Sequence, residues 1–406
     1  MRVAYLSPMP PSTSGIADYS ALLVPALAGL VDLRVAGGAD AVNRSADVAL
    51  YHVGNSAEEH GWIVEELRRR PGVVVLHEYA LHHLIAGITI ARGDTEGYLS
   101  AMQRDAGVVG RLVAHGVADG VVRPVWETRG PDFPLVGEIL DHATAVIAHS
   151  GTVEQAIRRR GYAGPVHRIP HPAWPVPDVP EDAVVAVREG PVFGVFGHVN
   201  AAKRIPQILE AHRRLRERGT AATLVLAGGA SEAGADPDAG VSGDWVVRLP
   251  YVDEERLWAL IRSVDAVLNL RHPTMGETSG IAVRALSAGT PLVVSDVGWF
   301  AELPNDVAFK VPVGDGEVDA IVAVMEAIAR DPSAAAEHGA AGSRLAREEM
   351  AVGHVAELYR RAIVDAAGGA QIRTRVIGEV GAAAAAVGLA PEDQDRVGRR
   401  MREAGL

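Results

Sequence analysis

Short runs of Val, Leu, Ala and Ile alternate with amphipathic stretches along most of the chain, and this alternation restricts the fold more than any other feature. A strand that leads into a helix and then a further strand builds a parallel sheet covered on both faces. In the first half the pattern predicts strands over Arg2–Leu6, Asp32–Ala36, Val48–His52, Val73–His77, Ala145–His149 and Val166–Ile169. Helices are expected over Tyr19–Leu30, Glu58–Arg69, Glu96–His115 and Thr152–Arg159. A second series of strands follows: Val192–Phe196, Thr223–Ala227, Trp245–Leu249, Val264–Leu270, Leu292–Ser295 and Val307–Lys310. Pro170, Pro172, Pro175, Pro177, Pro180 and Pro191 crowd the stretch between the two series and mark a linker. After an amphipathic helix over Val352–Val364, Ala382–Ala386 favours helix, and Pro391-Glu392-Asp393 reads as a helix start.

A chain of 406 residues is long enough for two such domains with substantial cores. It has no cysteine, which excludes disulfides, thiolate zinc sites and thiol nucleophiles. A net charge of −12 works against nucleic acid, or an anionic membrane, as a partner over the whole surface. Arg68-Arg69-Arg70 and Arg158-Arg159-Arg160 are local exceptions. Each ends a predicted helix, where cations complement the dipole; weak membrane-surface or anionic-acceptor contact is the alternative. The N-terminus runs straight into a strand and a turn, and no apolar stretch is long enough to span a bilayer, so a cytoplasmic location is expected.

The richest segment is 271–304. The apolar run Val264–Leu270 leads into a loop of Gly, Thr and Ser, then a helix over Ile281–Ala288 ended by Gly289, then a strand over Pro291–Ser295. The free N–H groups where that helix begins, at Gly276-Glu277-Thr278-Ser279-Gly280, form an anion site, and Gly280 lets a phosphate approach closely. Glu277 does not suit a loop that only cradles phosphate, but it suits hydroxyls attached to that phosphate. A phosphate bearing hydroxyls points to a nucleotide sugar.

Further strand-end loops carry chemistry. Pro8 to Tyr19 follows the first strand and is not Gly-x-Gly-x-x-Gly, which removes the main support for a nicotinamide or flavin site. His77 sits where a strand meets its loop, with His82 and His83 beyond. Their spacing is not that of a zinc helix, so no metal is expected there; a hydrogen-bonded structural histidine is the competing reading of His77. Phe193-Gly194-Val195-Phe196-Gly197 leads into a helix with Lys203-Arg204 at its start. Two cations are poorly placed for a helix dipole unless an anion lies there. Lys203 and Lys310 are the only lysines in the chain, so Lys203 stands out; a surface pair is the alternative. Ala227-Gly228-Gly229 and Tyr251-Val252 lie on the same sheet edge and are candidates to bound a nucleobase.

Five segments in order give the chain a family likeness: Ser14-Gly15-Ile16-Ala17-Asp18-Tyr19-Ser20, Gly54-Asn55-Ser56, Val75-Leu76-His77-Glu78-Tyr79, Gly197 to Arg204, and Gly276-Glu277-Thr278-Ser279-Gly280 through Glu302-Leu303-Pro304. From residue 1 to about 365 the sequence resembles the retaining nucleotide-sugar glycosyltransferases of the GT-B fold, family 4, especially bacterial members of polysaccharide and glycan biosynthesis. The resemblance implies an α/β architecture of two Rossmann-like domains with parallel sheets facing a central cleft and a C-terminal helix crossing back to the first domain. The expected divisions are an acceptor domain over 1–172, a proline-rich linker over 173–190, a nucleotide-sugar domain over 191–350, a crossover helix over 351–366 and a helical tail over 367–406.

By position, the resemblance makes His77, Lys203 and Glu277 the catalytic residues. Lys203, Arg204, Ser279 and Gly280 would bind the donor diphosphate, with Gly15 approaching it from the other domain. Glu277 and Thr278 would hold the donor sugar, and Gly228, Tyr251, Val252 and Arg284 lie where the nucleoside is expected. The sequence departs from the family twice: Arg284 stands where a ribose-binding Glu is expected, and His198 stands for an Arg that Arg204 or Arg271 would replace. The implied reaction moves a hexose-type sugar from a UDP- or GDP-linked donor to the hydroxyl of a glycan, lipid-linked or small-molecule acceptor, with retention and with neither metal nor cofactor. A catalytically silent sugar-nucleotide-binding scaffold, and a nucleotide-sugar epimerase or hydrolase of the same fold, remain the alternatives.

Overall fold

The computed structural model describes residues 1–37, 45–180, 182, 190–197, 200–229, 245–388, 393, 396–397 and 400. The chain divides into two compact units: Met1–Ile169 with Ala356–Leu406, and Pro170–Val355. Each is built on its own six-stranded parallel sheet.

In the first unit β1 (Arg2–Leu6), β2 (Asp32–Ala36), β3 (Val48–Val53), β4 (Gly72–Leu76), β5 (Ala143–Ala148) and β6 (Val166–Arg168) lie in the order β2-β1-β3-β4-β5-β6. Every residue of β3 and β4 is buried, as expected of central parallel strands covered on both faces, and this is why they read as unbroken apolar runs. In the second unit β7 (Val192–Phe196), β8 (Thr223–Ala227), β9 (Val246–Leu249), β10 (Ala266–Asn269), β11 (Leu292–Ser295) and β12 (Ala308–Val311) lie in the order β12-β11-β10-β7-β8-β9. Each strand expected from the sequence is present, with ends that coincide or shift by at most two residues.

The helices expected over Glu58–Arg69, Glu96–His115 and Thr152–Arg159 are present within one to three residues, and the first and last depart further. The first spans Gly15–Ala28 rather than Tyr19–Leu30, because the Ser14 hydroxyl accepts the Ala17 amide at 3.1 Å and starts the helix early. At the other end, the expected crossover helix and the start of the tail are one helix, Val352–Ala386. No proline interrupts it, and Gly368-Gly369 lowers its propensity by only about 1 kcal/mol per glycine, too little to break it between helix-favouring flanks. From Ala356 on it belongs to the first unit, where buried Tyr359 meets Tyr19 through their hydroxyls at 2.6 Å. Pro391 and Glu392, read as a further helix start, lie outside the described residues. Among the described residues no helix is long and apolar enough to cross a membrane. The two arginine runs end their helices as expected, and part of their charge is met by carboxylates: Arg68 by Glu138 at 2.6 Å and Arg160 by Asp105 at 2.6 Å.

Candidate functional site

In the second sheet β7 and β10 are neighbours, while β8 and β11 leave them on opposite sides. The connections therefore diverge at the carboxyl ends of β7 and β10, the switch point at which open α/β sheets bind ligands. The candidate residues of this unit gather there.

Lys203 lies in a single turn, Ala201–Lys203, after β7. The residue is 7% exposed, and its ammonium donates to the carbonyl of Phe196 at 2.6 Å. Gly197, with φ +81°, leaves it room, since a Cβ there would lie 3.1 Å from Nζ. Among the described residues Lys203 has no carboxylate partner. Burial first, then the neighbouring Arg271 guanidinium, pulls its pKa down to about 7. A second strand-end loop closes against this turn: a Cβ on Gly228, where φ is +153°, would lie 2.3 Å from the carbonyl oxygen of Gly197.

Arg271 follows β10, and its amide donates to the Ser295 hydroxyl at 2.9 Å. Its Nε lies 3.0 Å from Oε1 of Glu277, and both side chains are largely buried. The other carboxylate oxygen accepts the Met275 amide at 2.7 Å and the Thr274 hydroxyl at 3.0 Å. Glu277 is thus the hub around which its own loop folds. An ionised carboxylate accepts about four hydrogen bonds, so with two made here capacity for further donors remains. The next residue brings Thr278 Oγ1, buried without a partner among the described residues. The amide of His272 donates to Ala202 at 2.7 Å, which staples this loop beside Lys203.

The helix spans Gly280–Ala288, opening at the last residue of the loop segment expected to start it and one residue before the expected Ile281. Ser279 caps it, with its hydroxyl accepting from Asn269 Nδ2 at 2.8 Å and Ala282 N at 3.4 Å. A Cβ on Gly280 would lie 3.3 Å from Nη1 of Arg284 and 3.5 Å from the Trp174 ring, so packing as well as ligand approach accounts for this glycine.

Two expected site residues turn elsewhere. Arg204, at φ +58°, makes a bidentate pair with buried Glu317, so its charge is spent inside the unit and Arg271 is the cation beside Lys203. Arg284 is buried with its guanidinium 3.9 Å over the Trp174 ring and Nη2 3.1 Å from Glu254. The position expected to read ribose is thus held by an arginine stacked on an aromatic. Tyr251 is exposed and Val252 half-buried just beyond the edge strand β9. His198 lies outside the described residues.

The first unit gathers a different chemistry. Gly15 opens the first helix, with open space where a Cβ would stand. His77, directly after β4, is 8% exposed, and its Nε2 lies 2.9 Å from Nδ1 of His52 in β3. Tyr19 meets His77 edge-on with ring centroids 4.7 Å apart, and His149 lies 5.2 Å from it. Burial holds His52 well below the usual imidazole range and brings His149 down to about 4, so both are neutral at pH 7. His82 faces away from this group, with Nδ1 donating to the Phe133 carbonyl at 2.7 Å and Nε2 3.0 Å from the Tyr98 hydroxyl. Among the described residues no group of three or more His, Asp or Glu is placed to hold a metal ion. His52, Trp174 and Arg271's tie to Glu277 escape sequence reasoning; the one available signal was His52 itself, a polar residue inside an otherwise apolar run.

Residues 190–331 match the family model described as "Glycosyl transferases group 1". Over this stretch, about a third of the chain, the sequence is similar to that family. Lys203, Arg271, Glu277 and Gly280 all fall inside it. A curated relative, 2-deoxystreptamine glucosyltransferase of Streptomyces kanamyceticus, is 25% identical over 174 residues, 42% of this chain and 44% of its own length. The match thus spans less than half of that relative. Among solved structures, sucrose-phosphate synthase of Thermosynechococcus elongatus aligns with a TM-score of 0.58 at 18% identity, over 90% of this chain and 100% of that one. Anabaena HepE, in complex with UDP and glucose, aligns with a TM-score of 0.59 at 13% identity, over 90% and 100%. At such identities the likeness concerns the fold, which is GT-B with two Rossmann-like domains.

Proposed function

We propose that the chain is a retaining, family 4 glycosyltransferase of bacterial type that moves a hexose-type sugar from a nucleoside diphosphate, UDP before GDP, to an acceptor hydroxyl in glycan or glycoconjugate biosynthesis. The observation that carries this reading is the buried, carboxylate-free ammonium of Lys203 beside Arg271 at the switch point of the second sheet. Such a group is unfavourable without an anion, and a diphosphate supplies one.

As the glycosidic bond breaks, negative charge grows on the leaving diphosphate. Lys203, Arg271 and the first amides of the helix Gly280–Ala288 would stabilise it, each well-placed donor contributing about 3 kcal/mol. Metal independence rests on these cations lying where that charge develops. Glu277 and Thr278 would receive the sugar hydroxyls through their remaining hydrogen-bonding capacity. His77 would orient the sugar and the acceptor rather than form a covalent bond. The relative's name and the UDP complexes of HepE support glucose and UDP as first choices to test.

The engagement of Glu277 within its own loop favours one competing reading, a silent nucleotide-sugar-binding protein. Thermal scans with UDP and GDP come first. Ligand at a hundred times its Kd stabilises by about 2.7 kcal/mol, or roughly 5–10 °C for a unit of this size. Incubation of UDP-glucose with a panel of acceptors, read by mass spectrometry, then separates transfer from silent binding. No shift with any nucleoside diphosphate would overturn the proposal.

A further inference from the structure

Of the twelve large apolar side chains that are exposed among the described residues, five lie between Val108 and Val122. They belong to the second half of the helix Thr95–Ala118 and the turn that follows it. That helix is broken at Ala106 and Gly107, where φ and ψ are −129° and 17°, then 61° and −149°. Before the break Tyr98, Leu99 and Met102 are buried in the core of the first unit. An unbroken helix would carry Val109, seven residues beyond Met102, onto that same face. Instead Gly110 and Ala114 are buried and Val109 is 66% exposed, a rotation of about one residue, or ~100°. The break is held by specific contacts. Arg160 donates to the carbonyls of Arg104 and Asp105, each at 3.3 Å, and pairs with the Asp105 carboxylate at 2.6 Å. A Cβ on Gly110 would lie 2.3 Å from the Met102 carbonyl oxygen, so only glycine fits.

The rotation leaves an apolar ridge on the surface. Val108 and Leu112 lie one turn apart, 71% and 65% exposed, with Val109 beside them. Gly116 comes one turn further on, and Val122 folds back over it. The amides of Val121 and Val122 both donate to the Gly116 carbonyl at 2.8 Å, and a Cβ on Gly116 would lie 2.6 Å from Cγ2 of Val122. From Val108 to Gly116 the ridge is about 12 Å long. The charges around it balance. Arg111 pairs with Glu96 at 3.0 Å and Arg104 with Asp141 at 3.6 Å, while Asp119 and Arg123, both exposed, follow the helix. An anionic bilayer finds no net positive charge here and is repelled by a chain of net charge −12. Copies of so acidic a chain also repel one another, but not across a neutral apolar ridge rimmed by both signs. We propose that this ridge is an interface with a second copy of the chain, the two helices lying antiparallel about a two-fold axis at Leu112. Leu112 then meets the partner subunit's Leu112, and Val108 meets the partner subunit's Val122.

The chain has no cysteine, so a single introduced one reports this contact alone. Leu112→Cys should give a disulfide-linked dimer on mild oxidation, because a residue on the two-fold axis faces its own copy. Val364→Cys, an exposed site on another helix, should not. In sedimentation velocity the full wild-type chain should pass from monomer to dimer with a Kd on the order of 10 µM, as befits a contact below about 1,200 Å². Val109→Glu combined with Leu112→Glu should weaken that association about tenfold or more. The melting temperature should not change, since both side chains are exposed in the free chain. A wild-type chain that stays monomeric at about ten times the expected Kd would overturn the proposal. So would a dimer indifferent to the two glutamates, or equal cross-linking of the two cysteine variants. Binding of the monomer to phosphatidylcholine vesicles, with or without phosphatidylglycerol, would overturn it in favour of a membrane partner.

Discussion

Replacing Lys203 by methionine should stabilise the free protein while removing its response to nucleotide. In the fold the ammonium falls from 10.5 to about 7, which corresponds to roughly 5 kcal/mol against its charged form. Methionine keeps the length and apolar stem but leaves the Phe196 carbonyl without its donor, a loss of about 1–3 kcal/mol. Below pH 7 the net gain is therefore on the order of 2–4 kcal/mol, or roughly 5–10 °C in the melting of the second unit. The sign with pH follows from proton counts. Between about 7 and 10.5 the unfolded lysine holds a proton that the folded one has released, so wild-type stability rises with pH across that window. The methionine variant lacks this term, so its advantage should be largest at pH 6 and shrink toward pH 10. Scanning calorimetry of both proteins at pH 6, 8 and 10 measures the gap. A variant that melts below wild type at pH 6, or a gap that does not change with pH, would refute the claim that Lys203 is a buried, uncompensated charge.

Three further substitutions probe neighbouring parts. Glu277→Gln removes the charge that holds Arg271 and should lower kcat about 100-fold with the fold intact, as read by steady-state kinetics and circular dichroism. Arg284→Lys loses the flat stack on Trp174 and should lower the second unit's melting point, with UDP affinity changed less than threefold by titration; a large affinity loss would return Arg284 to the nucleoside site. Ser279→Ala removes the cap and leaves the Asn269 amide without its acceptor, and should cost about 2 kcal/mol in urea unfolding.

The sheets were legible in the sequence because central parallel strands are buried on both faces. Runs such as Val48–Val53 and Leu292–Ser295 carry that burial in their composition. Lys203 was legible for a similar reason, as a scarce residue type directly after a glycine turn. Partnerships across long separations were not. Nothing near Arg204 reveals Glu317, 113 residues away, which takes the charge that spacing had assigned to a diphosphate. Arg284 reads as a lost ribose ligand until Trp174, from the proline-rich stretch, is seen lying on it. The His52–His77 pair joins two strands whose register no local pattern encodes. Helix ends failed through single hydrogen bonds, as at Ser14, where one cap moved the start of the first helix.

The central claim is that the second unit clamps a pyrophosphate through the depressed ammonium of Lys203, and calorimetric titration with UDP at pH 8 tests it most directly. At that pH free Lys203 is mostly neutral, and a bound diphosphate should restore its charge. UDP binding should therefore take up close to one proton, seen as a heat that varies with the ionisation enthalpy of the buffer, and Lys203→Met should abolish both the uptake and most of the affinity. Binding of equal strength in both proteins, with no buffer dependence in either, would contradict it.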